Sequence, residues 1–304
     1  MADYAFFPGC VLSQAAEEAK MALDAIAPRL DMHLHEIPGW SCCGATHVQD
    51  IDPTTALIAN ARNIALAEQM EMPILTACST CLMVMRRSKK ALDAGEKVRI
   101  NRYLVKGELA YNGTAKITFL LWELAKNLKK LAPQVKKSLK DIKVACFYGC
   151  HTVRPEDALG FESSFNPTSF EKVVKTLGCQ VVPFAKRLDC CGFHAIYSAE
   201  KSAHKMIAQI VTAAKESKAS CVVTPCPLCQ MQLDLYQESV MEQAKLPGNM
   251  PILHLPQLVG LAMGFDNDTL GLDRNMIDAS KLVALNSEEQ NKLLAYAEQN
   301  TLSA

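Results

Sequence analysis

No stretch of the chain reaches the ~18 uninterrupted apolar residues that a membrane-crossing helix requires. The N-terminal Met1-Ala2-Asp3-Tyr4 has neither a basic n-region nor an apolar h-region. The expectation is a cytoplasmic protein with no membrane span. Charge of one sign is missing too, because Lys plus Arg and Asp plus Glu both number 32 among 304 residues. Without an excess of either sign, nothing marks nucleic acid or an anionic bilayer as a partner. There is no Gly-x-Gly-x-x-Gly dinucleotide site and no ferredoxin-type cysteine run. Electrons, if the chain handles them, must come from elsewhere.

Cysteine is what the chain has in quantity. Thirteen of them in a cytoplasmic protein would be kept reduced, which favours metal or redox chemistry over structural disulfides. With 49% hydrophobic and 21% charged residues, the chain has core enough to fold without staples.

Ten of the cysteines form a pattern that occurs twice. Pro8-Gly9-Cys10, Cys42-Cys43-Gly44 and Cys78-Ser79-Thr80-Cys81 are answered by Tyr148-Gly149-Cys150, Cys190-Cys191-Gly192 and Cys226-Pro227-Leu228-Cys229. Adding 148 to Cys42, Cys43, Cys78 and Cys81 gives Cys190, Cys191, Cys226 and Cys229, while Cys10 maps to Cys150 at an offset of 140. Four coincidences at one offset are a repeat.

Hydrophobic patterning places these motifs. Tyr4 to Phe7 reads as a buried strand broken at Pro8-Gly9, followed by a helix opening near Ser13 and running through Ile26. His33 to Ile37 alternates as a second strand, and Pro38-Gly39 ends it just before the cysteine pair. Asp52-Pro53 is an N-cap and first-turn pair for a helix reaching about Met70. Met72 to Ala77 is a strand running into Cys78, and Met85 to Lys97 reads as an exposed basic helix. Ile117 to Leu124 closes the first half.

The lysine-rich run from Lys126 to Lys140, interrupted by Pro133, reads as a solvated linker. Domains are therefore expected at 1–133 and 134–304. The second half repeats the plan: Lys143 to Cys150 answers Tyr4 to Cys10, Ser220 to Pro225 answers Met72 to Ala77, and Ile252 to Leu258 answers Phe119 to Leu124. A helix from about Lys201 to Lys215 takes the place of Asn60 to Met70, and another is expected from Ser287 to about Asn300. Strands alternating with helices predict an α/β fold of two pseudo-twofold-related domains. Each would be a small parallel sheet with flanking helices, its cysteines at the strand C-terminal ends and the two clusters facing each other near the joint.

Five thiols are one too many for a tetrahedral zinc, and also for a conventional four-iron cube with one thiolate per iron. Adjacent side chains such as Cys42 and Cys43 diverge along an extended chain, which suits a larger, polynuclear object.

The doubled Cys…Cys-Cys-Gly…Cys-x-x-Cys pattern resembles the CCG domains of the B-type subunit of heterodisulfide reductase. The match covers Tyr4 to about Gly264, with 31 or 39 residues before the pair and 34 after it. The resemblance implies two noncubane [4Fe-4S] clusters, one of the five thiolates bridging irons in each. Carried over by position, Cys10, Cys42, Cys43, Cys78 and Cys81 would hold one, and Cys150, Cys190, Cys191, Cys226 and Cys229 the other. It also implies a C-type iron–sulfur subunit and a flavin-containing A-type subunit as partners, and a disulfide or thiol substrate. Similar subunits occur in heterodisulfide-reductase-like complexes of sulfur oxidisers. The first pair continues Gly44-Ala45-Thr46-His47 where methanogen proteins are expected to have a Cys-Cys-Pro form, and the second domain's His254 has Leu120 as its counterpart.

The function expected is therefore disulfide reduction, or thiol oxidation, at two clusters that each pass one electron. The alternative is a non-catalytic electron relay or scaffold that holds zinc or conventional clusters. Helix starts after Cys10, Cys81 and Cys229 would aim backbone N–H groups at the sulfurs and raise the cluster potential. His47, His151 and His194 adjoin the cysteine loops and are candidate proton donors, although a structural or solvent-facing role suits each as well. Cys146, Cys179 and Cys221 fall outside the repeat and read as small core residues. Trp40 and Trp122 read as packing residues, and Leu255 to Gly264 as core or a partner surface.

Overall fold

Each half of the chain builds a four-stranded parallel sheet, and the two sheets share one strand order. The computed structural model describes residues 2–45, 47–246, 250–277, 279 and 282. The first sheet consists of β1 (Ala2–Phe6), β2 (Met32–Glu36), β3 (Ile74–Thr76) and β4 (Ile117–Phe119), in the order β2-β1-β3-β4. The second consists of β5 (Lys143–Cys146), β6 (Gln180–Val181), β7 (Cys221–Thr224) and β8 (Ile252–His254), in the order β6-β5-β7-β8. The inner strands β3 and β7 are buried along their whole length, while the edge strand β2 buries only Met32. That is why β3 and β7 read as apolar runs and β2 as an alternation. β6, two residues on an edge, is too short to carry a periodic signal.

The chain leaves β1 for the edge strand β2 and then crosses back to β3 on the other side, and the second half does the same from β5. Loops after strands that diverge in this way open a crevice at their C-terminal ends, and the cysteine motifs follow these strands in both halves. The halves then pack reciprocally. Helix Glu17–Ile26, which follows β1, lies on Leu255–Met263, which follows β8, and Ser169–Thr176 lies on Leu120–Lys126. Arg274 Nη1 meets Glu17 Oε2 across the first of these contacts at 2.9 Å.

Several expectations change here. The single helix from Ser13 to Ile26 is two: a wide turn, Val11–Ala15, closes with Ala16 N donating to Val11 O, and Glu17–Ile26 follows a break at Ala16. The Ser13 hydroxyl bonds the carbonyls of Gly9 and Cys10 at 2.9 and 3.3 Å, competing with regular helix bonding there. The basic segment from Met85 is the end of helix Ser79–Ala91, which buries Met85 and runs through a turn at Gly95 (φ 139°) into Lys97–Leu104. Its lysines and arginines line the side away from the buried Met85, Leu92 and Ile100.

By sheet register Thr76 pairs with Phe119 and Thr224 with His254, so the counterpart of His254 is Phe119 and not Leu120. The lysines of the 126–140 run are mostly exposed, but Leu131 and Leu139 are buried, and the N–H groups of Lys136 and Lys137 both donate to Ala262 O. The helix Pro53–Gln69 forms as expected, with the Asp52 carboxylate accepting from Thr54 N and Thr55 N. The helix expected at 287–300 lies outside the described residues.

Candidate metal centre

The three cysteine segments of each half meet at the C-terminal ends of its strands. In the first cage Cys42 Sγ lies 3.5 Å from Cys10 Sγ, and Cys43 Sγ lies 3.6 Å from Cys81 Sγ. The second cage repeats these contacts, Cys190 with Cys150 and Cys191 with Cys229. Gly9 and Gly149 show why the chain needs glycine before the first cysteine. Both have φ near +70°, and a Cβ would come within 2.8 Å of Cys81 Sγ at Gly9 and 3.0 Å of Cys229 Sγ at Gly149. The last sulfur of each cage fills the space that a side chain would take.

Backbone N–H groups converge on the sulfurs in the same way in both halves. Gly44 N donates to Cys42 Sγ at 3.5 Å and Gly192 N to Cys190 Sγ at 3.4 Å. Ala45 and Phe193 serve Cys43 and Cys191, and Cys81 and Cys229 serve Cys78 and Cys226. The helices after the Cys-x-x-Cys motifs therefore act differently from the expectation. They begin at Ser79 and Pro227, with Cys78 and Cys226 as N-cap residues, so Cys81 and Cys229 lie inside the first turn and donate rather than receive. Cys10 precedes a wide turn and receives no such bond.

Hydrogen bonding from Cys10 and Cys150 holds the Cys42 and Cys190 thiols far below the ordinary range, and their partners rise correspondingly. Each cage thus has at least one sulfur poised as thiolate. Among the described residues no three Cys, His, Asp or Glu side chains converge as a single bound ion would need. Five mostly buried sulfurs per cage, served by backbone donors, match the chemistry of a multi-iron cluster.

The cages touch. Burial opposes charge on Cys226, but hydrogen bonds from Cys229 and from Cys78 of the first half hold it well down as thiolate, and the same contact pushes the Cys78 thiol well up. The Ser79 hydroxyl also bonds Cys226, and Thr80 Oγ1 lies 3.9 Å from its sulfur. Thr80 Oγ1 is also 3.0 Å from His151 Nδ1. The expected facing of the cages is therefore direct contact.

The three candidate histidines separate. His151 and His194 lie together, ring centroids 5.2 Å apart, and line a small cavity of ≈ 60 Å³ with Cys150, Cys190, Cys191 and Cys229. Burial lowers the pKa of both, so they are neutral imidazoles. His47 is instead exposed, its ring 5.7 Å from that of Tyr197. A larger cleft of ≈ 850 Å³ opens beside the second cage, lined by Cys150, Cys190, His151, Arg87 and Arg154. Cys146, Cys179 and Cys221 are buried in the second domain, and Trp40 and Trp122 pack against Phe7 and Phe161.

Other residues support the site without a motif to announce them. Asn60 Nδ2 donates to Cys43 O at 2.7 Å, and Asn63 both accepts from Ser41 N and donates to Ser41 O, so one helix clamps the Cys42-Cys43 loop. Their signal in the sequence was amide side chains inside an otherwise apolar helical stretch. His254 is fully buried at the start of helix Leu255–Met263, its ring against the backbone of Pro225 and Ala77.

A family model described as a cysteine-rich domain, CCG, matches this chain twice, at residues 4–86 and 144–234. The 8-methylmenaquinol:fumarate reductase membrane anchor subunit of Wolinella succinogenes is 60% identical over 280 residues, 92% of this chain and 99% of that protein. The B-type subunit of the Ferredoxin/F(420)H(2)-dependent CoB-CoM heterodisulfide reductase of Methanosarcina acetivorans is 31% identical over 298 residues, 93% of this chain and 97% of that one. A protein of Archaeoglobus profundus that is itself like the B-type subunit of heterodisulfide reductase is also 31% identical, over 88% of this chain and 92% of its own length. In fold, a hypothetical protein from Helicobacter pylori superimposes with a TM-score of 0.77 at 17% identity over 91% of this chain, which spans 52% of that one. Among the described residues no helix is long and apolar enough to cross a membrane. With both CCG matches falling on the two cages, this chain belongs to the cysteine-rich CCG-domain family that includes the B-type subunits of heterodisulfide reductase.

Proposed function

We propose that this chain is the iron–sulfur subunit of a quinol-linked reductase complex, its two cages holding paired clusters that take electrons from a membrane quinol and pass them to a partner subunit. The observation that carries the reading is the contact between the cages at Cys78 and Cys226. A quinol gives up two electrons and two protons, while an iron–sulfur cluster accepts one electron, so two cages in contact match the donor. The choice of quinol rests on the 60% identical menaquinol:fumarate reductase subunit, whose length the match covers almost completely. All ten repeat cysteines serve as ligands. His151, joined to Thr80 Oγ1, lines the cleft beside the second cage. Contact with the membrane, on this reading, is made by the surface or through a partner.

The second reading is a heterodisulfide-reductase-like catalytic subunit, working with a C-type iron–sulfur subunit and a flavin-containing A-type subunit on a disulfide or thiol. It is favoured by the ≈ 850 Å³ cleft beside Cys150 and Cys190, with Arg87 and Arg154 at its walls. Clusters there would supply single electrons and a Lewis-acidic iron, so no ligand cysteine need form a mixed disulfide.

The test uses the complex purified without oxygen. About eight irons per chain are expected, as two four-iron clusters require. Reduction of the EPR-active clusters by a menaquinol analogue, with no change on adding a thiol or disulfide, supports the quinol reading. A signal altered by thiol and indifferent to quinol transfers the function to disulfide chemistry. One zinc and four irons would leave the chain a scaffold and sink both readings.

A further inference from the structure

The loops that carry the paired cysteines run straight on into an exposed apolar surface. After Cys42-Cys43-Gly44 the chain forms the short helix His47–Ile51, and after Cys190-Cys191-Gly192 it turns through Phe193–Ala195 to Tyr197. Ile51 is 84% exposed, Tyr197 77% and Val48 41%. His47 and Ile51, four apart, share one face of their helix. The His47 ring lies 5.7 Å from that of Tyr197, so the two halves contribute to a single patch. The patch borders the cages. A Cβ on Gly44 would stand 3.2 Å from Val48 Cβ, and Gly44 N is the donor to Cys42 Sγ. Gly192, five residues before Tyr197, is the matching donor to Cys190 Sγ. Cys42 and Cys190 are themselves exposed, as is Cys10. Three exposed carboxylates, Asp50, Asp52 and Glu200, stand on the same two segments beside one lysine, Lys201.

We propose that this patch is where a redox-protein partner docks to receive electrons from the cages, a partner whose contact surface has an apolar centre and a rim of lysine and arginine. The inference rests on the electron-passing reading of the cages and deepens it by giving the electrons an exit. Apolar side chains left in water beside a functional centre mark a surface that another molecule covers. Covering this one excludes water from the exposed cysteine edges, where solvent access helps set the potential. The carboxylates select the occupant, because an anionic bilayer repels them while a basic protein surface attracts them. One electron at a time passes from a reduced cluster to a one-electron centre of the partner, with no bond made or broken and no proton moved.

The test starts from the anaerobically purified complex. Hydrogen exchange of residues 47–52 and 195–200 is compared between the full chain alone and the chain with its co-purifying subunits, and both segments should be protected in the complex. Ile51→Ser combined with Tyr197→Ser should weaken binding of those subunits by about tenfold or more, with iron content unchanged. Asp50→Lys combined with Glu200→Lys should slow their association and remove its dependence on salt, as a charged rim requires. Equal exchange of both segments with and without the subunits overturns the inference. So does binding of the wild-type chain to vesicles of anionic lipid that the Ile51→Ser, Tyr197→Ser variant loses, which assigns the patch to the membrane. Self-association of the chain that the same variant abolishes assigns it to a second copy, and loss of iron from that variant makes it a brace for the cages; either result also overturns the inference. Clusters that a menaquinol analogue fails to reduce in the wild type count against the quinol reading alone, since protection of the patch is read without it.

Discussion

The Cys42-Cys43 loop of the first domain is held by uncharged amides, Asn60 and Asn63, projecting from the helix Pro53–Gln69. In the second domain the corresponding helix, Glu200–Glu216, turns the apolar Ile207, Ile210 and Val211 inward. There the loop before Cys190-Cys191 hangs on a charged network. Arg187 Nη1 bonds Glu171 Oε1 at 2.6 Å, Glu171 Oε2 accepts from Tyr148 OH at 2.5 Å, Arg187 O accepts from Tyr148 N at 2.9 Å, and the Arg154 guanidinium donates to Leu188 O. The same strand order and the same five sulfurs can thus be braced in two ways. The difference locates the chemistry: His151, His194, His254, the cleft and its arginines all belong to the second cage or border it, while the first cage is braced by amides and leaves Cys10 and Cys42 exposed.

Removing sulfurs should break the comparison most severely. Cys10→Ser is expected to cost the first cluster alone, whereas Cys226→Ser should empty the second cage and also alter the signal of the first, because Cys226 touches Cys78. Iron analysis with EPR distinguishes the two, and identical spectra would mean that the cages do not communicate. Gly9→Ala and Gly149→Ala come next. Each forces a side chain into left-handed backbone, at about 1–2 kcal/mol, and pushes on a ligand sulfur. With the tighter approach of 2.8 Å against 3.0 Å, Gly9→Ala should lose more iron than Gly149→Ala.

Unbracing the loops should have a milder effect. Asn60→Ala leaves Cys43 O without its donor and should cost about 1–3 kcal/mol, with faster release of iron to a chelator from the first cage only. Arg187→Ala should do the same to the second. Release from both cages in either variant would show that the loops are coupled.

The smallest effect concerns pH. Asp234, which accepts from Met276 N and Ile277 N, is raised by burial to about 6. Its position in the first domain is occupied by Arg86, at the offset of 148. A carboxyl raised in the folded state resists ionisation there, while the unfolded chain ionises near pH ~3.9. Stability should therefore fall as pH rises from about 4 to about 6, by about 1–3 kcal/mol. Melting temperature against pH should show this slope in the wild type and a flatter one in Asp234→Asn.

Much of this was legible from spacing. The β-strands leading into Cys10, Cys78, Cys150 and Cys226, the Asp52 cap and the repeat itself depend on neighbours close in sequence, and they form where expected. Long-range features were harder to read. The pairing of His254 with Phe119, rather than with Leu120, is a matter of sheet register, and the Val11–Ala15 turn depends on Ser13 reaching back to Gly9. Of the three histidines flagged for adjacency to cysteine, only His151 and His194 reach a cage, because adjacency along the chain says nothing about which way a loop turns.

By itself the sequence determined ten sulfurs in two sets of five, delivered to strand ends in a fixed order, because strand, turn and cap preferences act over a few residues. Tertiary structure decided that Cys78 meets Cys226 and that Asn60 clamps one loop while Arg187 clamps the other. It also set His254 beside the contact between the cages. Those outcomes depend on helix Glu17–Ile26 packing against Leu255–Met263, elements more than two hundred residues apart. Only burial of their shared apolar surface brings them together.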